Sequence, residues 1–159
     1  MLRILQVVGK MDRAGTETII MNLYRNIDRE KVQFDFMVFT DEKADYDDEI
    51  EALGGKIYRM PQFKLYNYPQ MCAEFNRFFK EHPYKVVHGH IGSMAPAYLH
   101  YAKKYGAYTV AHSHSTDFQS LIPKLCFRLL TRWVIFVADY FFACSVPAGE
   151  SRFGKRVTK

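Results

Sequence analysis

Four histidines, arranged in two pairs, are the residues of this sequence best suited to chemistry. His88 and His90 close one apolar run, and His112 and His114 close another. Since alternate residues of a β-strand point to the same face, the members of each pair lie on one side of their strand. We therefore expect the two pairs to face a common cleft if their strands are neighbours.

Three roles are open to these histidine pairs: a metal site, acid–base or polar contact with a ligand, and capping of the strand ends. Imidazole is a common zinc ligand. However, the sequence has no His-x-x-x-His pair, and only Asp117 offers a carboxylate nearby. We expect contact with a ligand and no metal site. The isolated His82 and His100 are expected to be surface or packing residues.

A second candidate site is the loop after the first apolar run, where Ala14 and Gly15 lead into a predicted helix. Free N–H groups and the positive end of the helix dipole favour an anion such as phosphate there. The spacing matches neither GxGxxG nor GxxxxGK[ST], so it supports neither a dinucleotide site nor a Walker loop. Glu17 adds a negative charge that would compete with a phosphate. The alternative is that Gly15 only permits a tight turn.

Ser145 follows the last apolar run and precedes Pro147, a pattern typical of a helix N-cap. No GxSxG or Ser-His-Asp pattern indicates a nucleophile. The cysteines, Cys72, Cys126 and Cys144, lack CxxC spacing and predict neither a disulfide framework nor a cysteine-rich zinc site. We expect a reducing, cytoplasmic setting.

Positioning these residues requires strands and helices, and short apolar runs alternate with amphipathic stretches along the whole chain. This alternation is typical of repeated βα units around a parallel sheet. We predict an α/β fold with a doubly wound parallel sheet, as one Rossmann-like domain over residues 1–159. The predicted strands are Arg3–Val8, Gln33–Phe39, Lys56–Met60, Lys85–His88, Tyr108–Ala111 and Tyr140–Cys144. The predicted helices are Thr16–Asn26, Tyr46–Leu53, Gln70–Lys80, Met94–Tyr105, Ile122–Ala138 and Val146–Phe153.

Length and composition fit one globular domain. The 159 residues are 48% hydrophobic and 16% aromatic, which excludes disorder as the main state. The net charge of +5 arises in the last quarter, because residues 121–159 contain 7 Lys and Arg against 2 Asp and Glu. The first apolar run is too short for a signal peptide, and no stretch reaches the roughly 20 apolar residues of a spanning helix.

The predicted helix Ile122–Ala138 repeats a positive charge every fourth residue, at Lys124, Arg128 and Arg132. A cationic stripe beside large apolar residues suits a helix that lies on an anionic membrane surface. The alternative is an ordinary amphipathic helix, whose apolar side covers the sheet and whose charged side faces solvent.

Four separated segments resemble the N-terminal half of family-four glycosyltransferases, in particular bacterial enzymes of capsular and exopolysaccharide synthesis. They are KMDRAGTETIIMNLYRNIDREKVQFDFMVF, DYDDEIEALGGKIYRMP, VVHGHIGSMAPAYLHYAKKYGAYTVAHSHS and ADYFFACSVPAGESRFG. The segments follow the family's order and together cover essentially the whole chain.

The resemblance implies a retaining, metal-independent transferase of the two-Rossmann (GT-B) type. Such an enzyme moves a hexose from a nucleotide sugar to a polysaccharide or lipid-linked glycan. Its N-terminal half binds the acceptor, and its C-terminal half binds the donor. We expect no cofactor besides the nucleotide-sugar co-substrate, no nucleic-acid partner, and a cytoplasmic location that is peripheral at the inner face of the cell membrane.

By position, the resemblance places the family's glycine loop on Ala14 and Gly15, near the donor diphosphate, with Glu17 as the glutamate that follows. Alanine replaces the first glycine here, and its Cβ restricts close approach. The histidine that contacts the reacting sugar falls on His114, the catalytic candidate, and the serine before the last helix falls on Ser145. The other three paired histidines are candidates for substrate contact.

The family's C-terminal half, with its E-x7-E donor motif, would follow Lys159. We therefore expect a truncated piece of a longer protein, the product of a broken gene, or one subunit of a split enzyme, inactive alone. The alternative function is a non-catalytic membrane-anchoring subunit that recruits a separate donor-binding protein. A third is a free-standing enzyme that uses the histidine pairs with a metal.

Overall fold

The strands form one parallel sheet in the computed structural model, which describes residues 1–114 and 132–157. Within this part of the chain the sheet has six strands in the order β3-β2-β1-β4-β5-β6, and all neighbours are parallel. The predicted doubly wound, Rossmann-like α/β fold is therefore confirmed. The strands are β1 (Leu2–Val7), β2 (Val32–Val38), β3 (Ile57–Arg59), β4 (Val86–Gly89), β5 (Tyr108–Ser113) and β6 (Tyr140–Ala143).

The strand order reverses between β1 and β4, because the chain runs outward from β1 to β3 and then continues from β4 to β6. Sheets of this kind bind ligands beyond the carboxyl ends of their strands at such a switch point. The glycine loop follows β1, and the histidine pairs end β4 and β5. The topology therefore brings these candidate residues to one edge of the sheet.

Helices cover both faces of the sheet. On one face, Tyr24 packs against Phe34 and Phe36 of β2. On the other face, Phe75 packs edge-on against Tyr98 within a core that also includes apolar residues of β1 and β4. The helices are α1 (Gly15–Asn26), α2 (Asp47–Ala52), α3 (Tyr68–Glu81), α4 (Ala95–Lys104) and α5 (Val146–Phe153).

Gly89, the central residue of the first histidine pair, allows α4 to approach β4 closely. A Cβ at this position would overlap the hydroxyl and ring of Tyr98. The Tyr98 hydroxyl donates a hydrogen bond of 2.8 Å to the carbonyl oxygen of Ile91. The packing of this tyrosine thus fixes the backbone on both sides of His90.

These helices and strands lie within two residues of their predicted bounds. The predicted helix Ile122–Ala138 differs, and most of it lies outside the described residues. Its described end contains a 3₁₀ helix at Trp133–Phe136, so the α-helix prediction is wrong there. The N–H group of Val137 bonds to the carbonyl of Val134, three residues back, and such tighter bonds are frequent where helices end.

None of the helices within residues 1–114 and 132–157 has the length and apolar character that crossing a lipid bilayer requires.

Candidate functional site

The imidazoles of the two pairs lie together at the carboxyl ends of β4 and β5. The ring centroids of His88 and His90 are 4.2 Å apart, and those of His112 and His114 are 3.9 Å apart. Between the strands, His88 stacks on His112 at 5.3 Å, and His90 stacks on His114 at 5.0 Å. The structure therefore brings all four residues onto one face, and we call them the histidine cluster.

Hydrogen bonds determine which ring nitrogens of the histidine cluster carry a hydrogen. Nε2 of His90 lies 2.9 Å from Oε1 of Gln6, and Nδ1 of His90 lies 2.8 Å from Nε2 of His114. An amide oxygen can only accept, so Nε2 of His90 carries the hydrogen and its Nδ1 accepts from His114. Nδ1 of His114 then holds a lone pair. Nδ1 of His112 and Nε2 of His88 are 3.3 Å apart.

The histidine cluster is uncharged at neutral pH. Burial lowers the pKa of His88 to about 3 and the pKa values of His112 and His114 to about 4. Burial also holds the pKa of His90 well below its ordinary value, and the neighbouring imidazoles add to the effect. Neutral rings that both donate and accept hydrogen bonds suit contact with hydroxyl groups.

Two further residues hold the histidine cluster in place, and neither was expected from the sequence. One is Gln6, a buried residue of β1. The other is Arg152 of α5, which is 4% exposed and donates hydrogen bonds to the carbonyl oxygens of His112 and Ile91. Burial lowers the pKa of Arg152, and its positive charge contributes to the lowered pKa of His112.

The signals for these two residues differ in strength. Gln6 stands between Leu5 and Val7 in a strand that is otherwise buried there, so a polar residue at that position was a detectable signal. Arg152 gave no signal, because an arginine in an amphipathic helix normally faces solvent.

The glycine loop places Ala14 at the N-cap of α1 and Gly15 as the first helical residue, and both are exposed. The backbone of Gly15 has no positive φ, and a Cβ there would meet nothing within 4 Å. Neither the backbone angle nor the packing around Gly15 therefore requires a glycine at this position. Glu17 is half-buried, and that burial raises its pKa.

Ser145 is the N-cap of α5, since its Oγ accepts a hydrogen bond of 3.3 Å from the N–H group of Ala148. The capping alternative for this serine is thus confirmed. Its neighbour Cys144 donates through Sγ to the carbonyl oxygen of His114 at 3.0 Å, which places the start of α5 beside the histidine cluster.

The remaining candidate residues lie apart from this site. His82 packs against the rings of Tyr58 and Phe78, as expected for a packing residue, and His100 is exposed. Of the three residues of the cationic stripe, Lys124 and Arg128 lie outside the described residues, and Arg132 is exposed.

A cavity of about 680 Å³ opens at the same edge of the sheet, between the loops that follow β1, β2 and β4. It is large enough for a sugar ring or a short glycan. Its lining includes Gly9, Lys10, Thr40, Glu42, Ser93 and Met94.

Residues 14–151, which include the glycine loop and the histidine cluster, match the family model described as "Glycosyl transferase 4-like domain". The chain belongs to the glycosyl transferase 4-like family. The resemblance drawn from the sequence is thereby confirmed at the level of the family.

Relatives of this glycosyl transferase 4-like domain extend well beyond the matched part. EpsF of Bacillus subtilis (strain 168), a protein named as a glycosyltransferase, is 32% identical over 158 residues, which cover 96% of this chain and 41% of EpsF. This chain therefore spans about two fifths of the length of EpsF.

Two solved structures share the fold. HepE of Anabaena in complex with UDP-glucose has a TM-score of 0.68 at 12% identity, over 95% of this chain and 40% of HepE. MurG of Acinetobacter baumannii has a TM-score of 0.59 at 11% identity, over 90% of this chain and 41% of MurG. At these identities, the likeness establishes the fold alone.

Proposed function

We propose that this glycosyl transferase 4-like domain is the acceptor-binding half of a retaining glycosyltransferase. The reaction moves a hexose from a nucleotide sugar to a polysaccharide or lipid-linked glycan. The supporting observation is the histidine cluster, which lies at the carboxyl ends of β4 and β5, next to the switch point of the sheet, and inside the span matched by the family. The name of EpsF supports glycosyl transfer, and the UDP and UDP-glucose complexes of HepE support a nucleotide-sugar donor.

In this proposal His114 contacts the reacting sugar. Its Nε2–H group is engaged with His90, so Nδ1 is the atom that accepts a hydrogen bond from a sugar hydroxyl. Because the ring is uncharged at neutral pH, it orients the sugar without adding a full charge. His88, His90 and His112 supply the polar wall around it.

The glycine loop approaches the donor diphosphate. Gly15 has neither a backbone nor a packing reason to be glycine within the described residues. An exposed position without a side chain, at the first turn of α1, leaves N–H groups accessible to an anion. Ala14 and Glu17 border the same approach at the start of α1, and Ser145 lies at the start of α5.

The donor itself binds in another part of the protein, since this chain spans about two fifths of EpsF. In this proposal the groups that neutralise the leaving diphosphate belong to that other part, and such electrostatic stabilisation is usually a large part of catalysis. The isolated chain therefore transfers no sugar.

A second function, attachment to the inner face of the cell membrane from the cytoplasm, is supported by one surface feature. Trp133 and Phe136 are 64% and 77% exposed, their ring centroids are 6.2 Å apart, and the exposed Arg132 precedes them. Aromatic rings beside a positive charge suit an anionic lipid interface. This placement brings the acceptor site close to a lipid-linked glycan.

The test of glycosyl transfer uses this chain in a two-domain protein that also carries a donor-binding half. His114→Ala is expected to lower kcat by about 10²–10⁴-fold, the range typical for a group that acts on the reacting centre. His100→Ala, an exposed histidine outside the cluster, serves as the control and keeps the wild-type rate. Wild-type kcat in His114→Ala, measured with an unchanged melting temperature, would refute the role of His114. If the wild-type two-domain protein transferred hexose from none of the nucleotide sugars tested, the proposed glycosyl transfer would be refuted.

A further inference from the structure

A second cavity, of about 630 Å³, lies between the N-terminal halves of α3 and α4 and the 3₁₀ helix Trp133–Phe136. Its lining includes Pro69, Cys72, Pro96, Ala97, Tyr101 and Trp133. Among the described residues that line it, none is a lysine, arginine, aspartate or glutamate. We call this space the apolar cavity. Its volume lies within the range of about 300–1,000 Å³ that is typical of small-molecule sites.

The packing of α3 against α4 explains why the apolar cavity exists. Towards their C-terminal ends the two helices are joined, since Oδ1 of Asn76 accepts hydrogen bonds from Lys104 and Tyr105 at 2.9 and 3.0 Å. Towards their N-terminal ends the short side chains of Cys72 and Ala97 line the space between them and do not fill it. Burial raises the pKa of the Cys72 thiol, so this part of the wall stays uncharged.

The apolar cavity adjoins the cavity of about 680 Å³ at the carboxyl edge of the sheet, which we call the polar cavity. Phe63, Ser93 and Met94 line both cavities. The polar cavity also exposes groups that can bond to sugar hydroxyls, among them the side chains of Thr40 and Glu42. A ligand with a polar head and an apolar chain can therefore occupy both cavities at once.

The apolar cavity also borders an exposed aromatic surface. Trp133 lines the cavity and is 64% exposed, and its ring lies 6.2 Å from that of the exposed Phe136. We propose that the apolar cavity binds the hydrocarbon chain of a lipid-linked glycan. This binding role rests on the proposed function, and it selects a lipid-linked glycan over a free polysaccharide as the acceptor.

The neighbours of the apolar cavity favour this occupant over another protein surface. A second copy of this chain would cover the exposed rings of Trp133 and Phe136, but it would not account for the adjoining polar cavity. A lipid-linked glycan accounts for both, because its sugars fit the polar cavity and its hydrocarbon chain continues past the exposed rings into lipid.

Binding of a hydrocarbon chain predicts a dependence on chain length. Each methylene group that leaves water raises the affinity by about fourfold. The gain must end once the chain fills the cavity, whereas the tendency to form micelles keeps rising with length. The probes are therefore n-alkyl β-glucosides from methyl to dodecyl, each used below its critical micelle concentration.

Trp133 reports on occupancy, because it is the only tryptophan of the sequence and lines the cavity. We expect methyl glucoside to leave its fluorescence unchanged and octyl glucoside to produce a saturable blue shift. The dissociation constant is expected to fall by about fourfold per methylene up to a limiting chain length.

A matched pair of variants on α3 localises the site. Cys72→Phe places a ring in the cavity and is expected to weaken binding of octyl glucoside by more than about tenfold, since the chain can bury fewer methylenes. Ala73→Phe adds the same ring at the neighbouring, exposed position of the same helix and is expected to keep the wild-type affinity.

A second measurement uses the thiol of Cys72. With Cys126→Ser and Cys144→Ser, Cys72 is the only cysteine. Octyl glucoside, but not methyl glucoside, is then expected to slow alkylation of Cys72 by N-ethylmaleimide.

Equal affinities in Cys72→Phe and Ala73→Phe, or an affinity independent of chain length, would overturn the proposal. If circular dichroism shows that Cys72→Phe is unfolded, an alkylation rate that octyl glucoside leaves unchanged overturns it instead. A dimer that Cys72→Phe dissociates, without binding of octyl glucoside, would assign the cavity to a second copy of the chain. These measurements involve no nucleotide sugar. Their failure would leave glycosyl transfer to a polysaccharide intact, and failure of transfer would leave binding of the hydrocarbon chain intact.

Discussion

At the scale of the residue, a substitution of Gly15 distinguishes a role in ligand binding from a role in folding. Gly15→Ala is expected to keep or slightly raise the melting temperature, since alanine is favoured over glycine in a helix by up to about 1 kcal/mol and its Cβ meets open space. In the two-domain protein the same change is expected to lower kcat/KM for the nucleotide sugar. Thermal melts and donor-dependent kinetics measure the two effects.

Gly55→Ala is the matched control for Gly15→Ala. A Cβ on Gly55 would lie 2.8 Å from Oη of Tyr24 and 2.9 Å from the carbonyl oxygen of Phe34, both within a packed core. This variant is expected to lose thermal stability. If Gly15→Ala destabilised the chain as much as Gly55→Ala, or left the donor kinetics unchanged, the binding role of Gly15 would be wrong.

The pKa values of the histidine cluster predict acid sensitivity. In the unfolded chain these imidazoles protonate near pH 6.5, whereas in the folded chain His88 resists protonation until about pH 3, and His112 and His114 until about pH 4. The unfolded state therefore binds more protons as the pH falls from about 6.5 to 4, and the free energy of unfolding decreases over that range.

Urea denaturation at several pH values, in the presence of EDTA, measures this acid sensitivity. The His88→Gln and His112→Gln double variant is expected to show a shallower decrease than the wild type, because it has lost two of the shifted groups. A wild-type unfolding free energy that stays constant from pH 7 to pH 4.5 contradicts the prediction.

The sequence identified the histidine pairs because strand periodicity and residue type can both be seen without a structure. It did not identify Arg152, since the burial of an arginine depends on how α5 packs against the end of β5. For Gly15, the sequence left both a tight turn and a ligand approach open. The backbone angle and the open space around Gly15, which only the structure reveals, show that neither the turn nor the packing requires a glycine there.

At the scale of the element, Arg152 joins α5 to the loops that carry the site. Its guanidinium donates hydrogen bonds to the carbonyl oxygens of His112 and Ile91, and the second of these also accepts from Tyr98. Arg152→Ala is expected to lower the free energy of unfolding by about 1–3 kcal/mol, the cost of leaving buried polar groups unpaired. The control is Arg156→Ala, since Arg156 is an exposed arginine just after α5. This variant should change the free energy of unfolding little. Equal effects of the two variants in urea denaturation would refute this anchoring role.

Most helices and strands could be predicted because their apolar residues recur at a regular spacing. Alternation and i, i+4 spacing set the strands and helices to within two residues of the observed bounds. The run Trp133–Phe136 is uniformly apolar and therefore carries no period, so the sequence could not indicate that the chain tightens into a 3₁₀ helix there. Its burial is also uneven, with Val134 buried between two exposed aromatic residues.

At the scale of the whole molecule, the order of the strands decides what the candidate residues can do. Periodicity alone placed each histidine pair on one face of its own strand, and left open whether the two strands are neighbours. The observed pairing of β4 with β5 supplies that contact, and the pairing of β1 with β4 brings Gln6 to His90. Pairing between distant strands depends on the packing of the complete sheet, which no local pattern reveals.

The distribution of charge predicts which membranes the whole molecule binds. The whole positive excess lies in residues 121–159, and the exposed Trp133 and Phe136 lie in the same part of the chain. We expect the chain to sediment with vesicles that contain anionic lipid more than with neutral vesicles, and to dissociate as salt screens the attraction. Changing Lys124, Arg128 and Arg132 together to Gln should remove the preference for anionic lipid.

Exposed apolar residues elsewhere test whether this membrane binding is specific. Trp133→Ser with Phe136→Ser should weaken vesicle binding, because the inserted aromatic area supplies attraction that salt does not screen. Ile19→Ser with Leu23→Ser removes side chains of α1 that are 60% and 54% exposed, and should leave vesicle binding unchanged. If both double variants weaken binding equally, the attraction is general hydrophobic adsorption. If neither does and neutral vesicles bind as well as anionic ones, the domain does not use this surface to reach a lipid-linked acceptor.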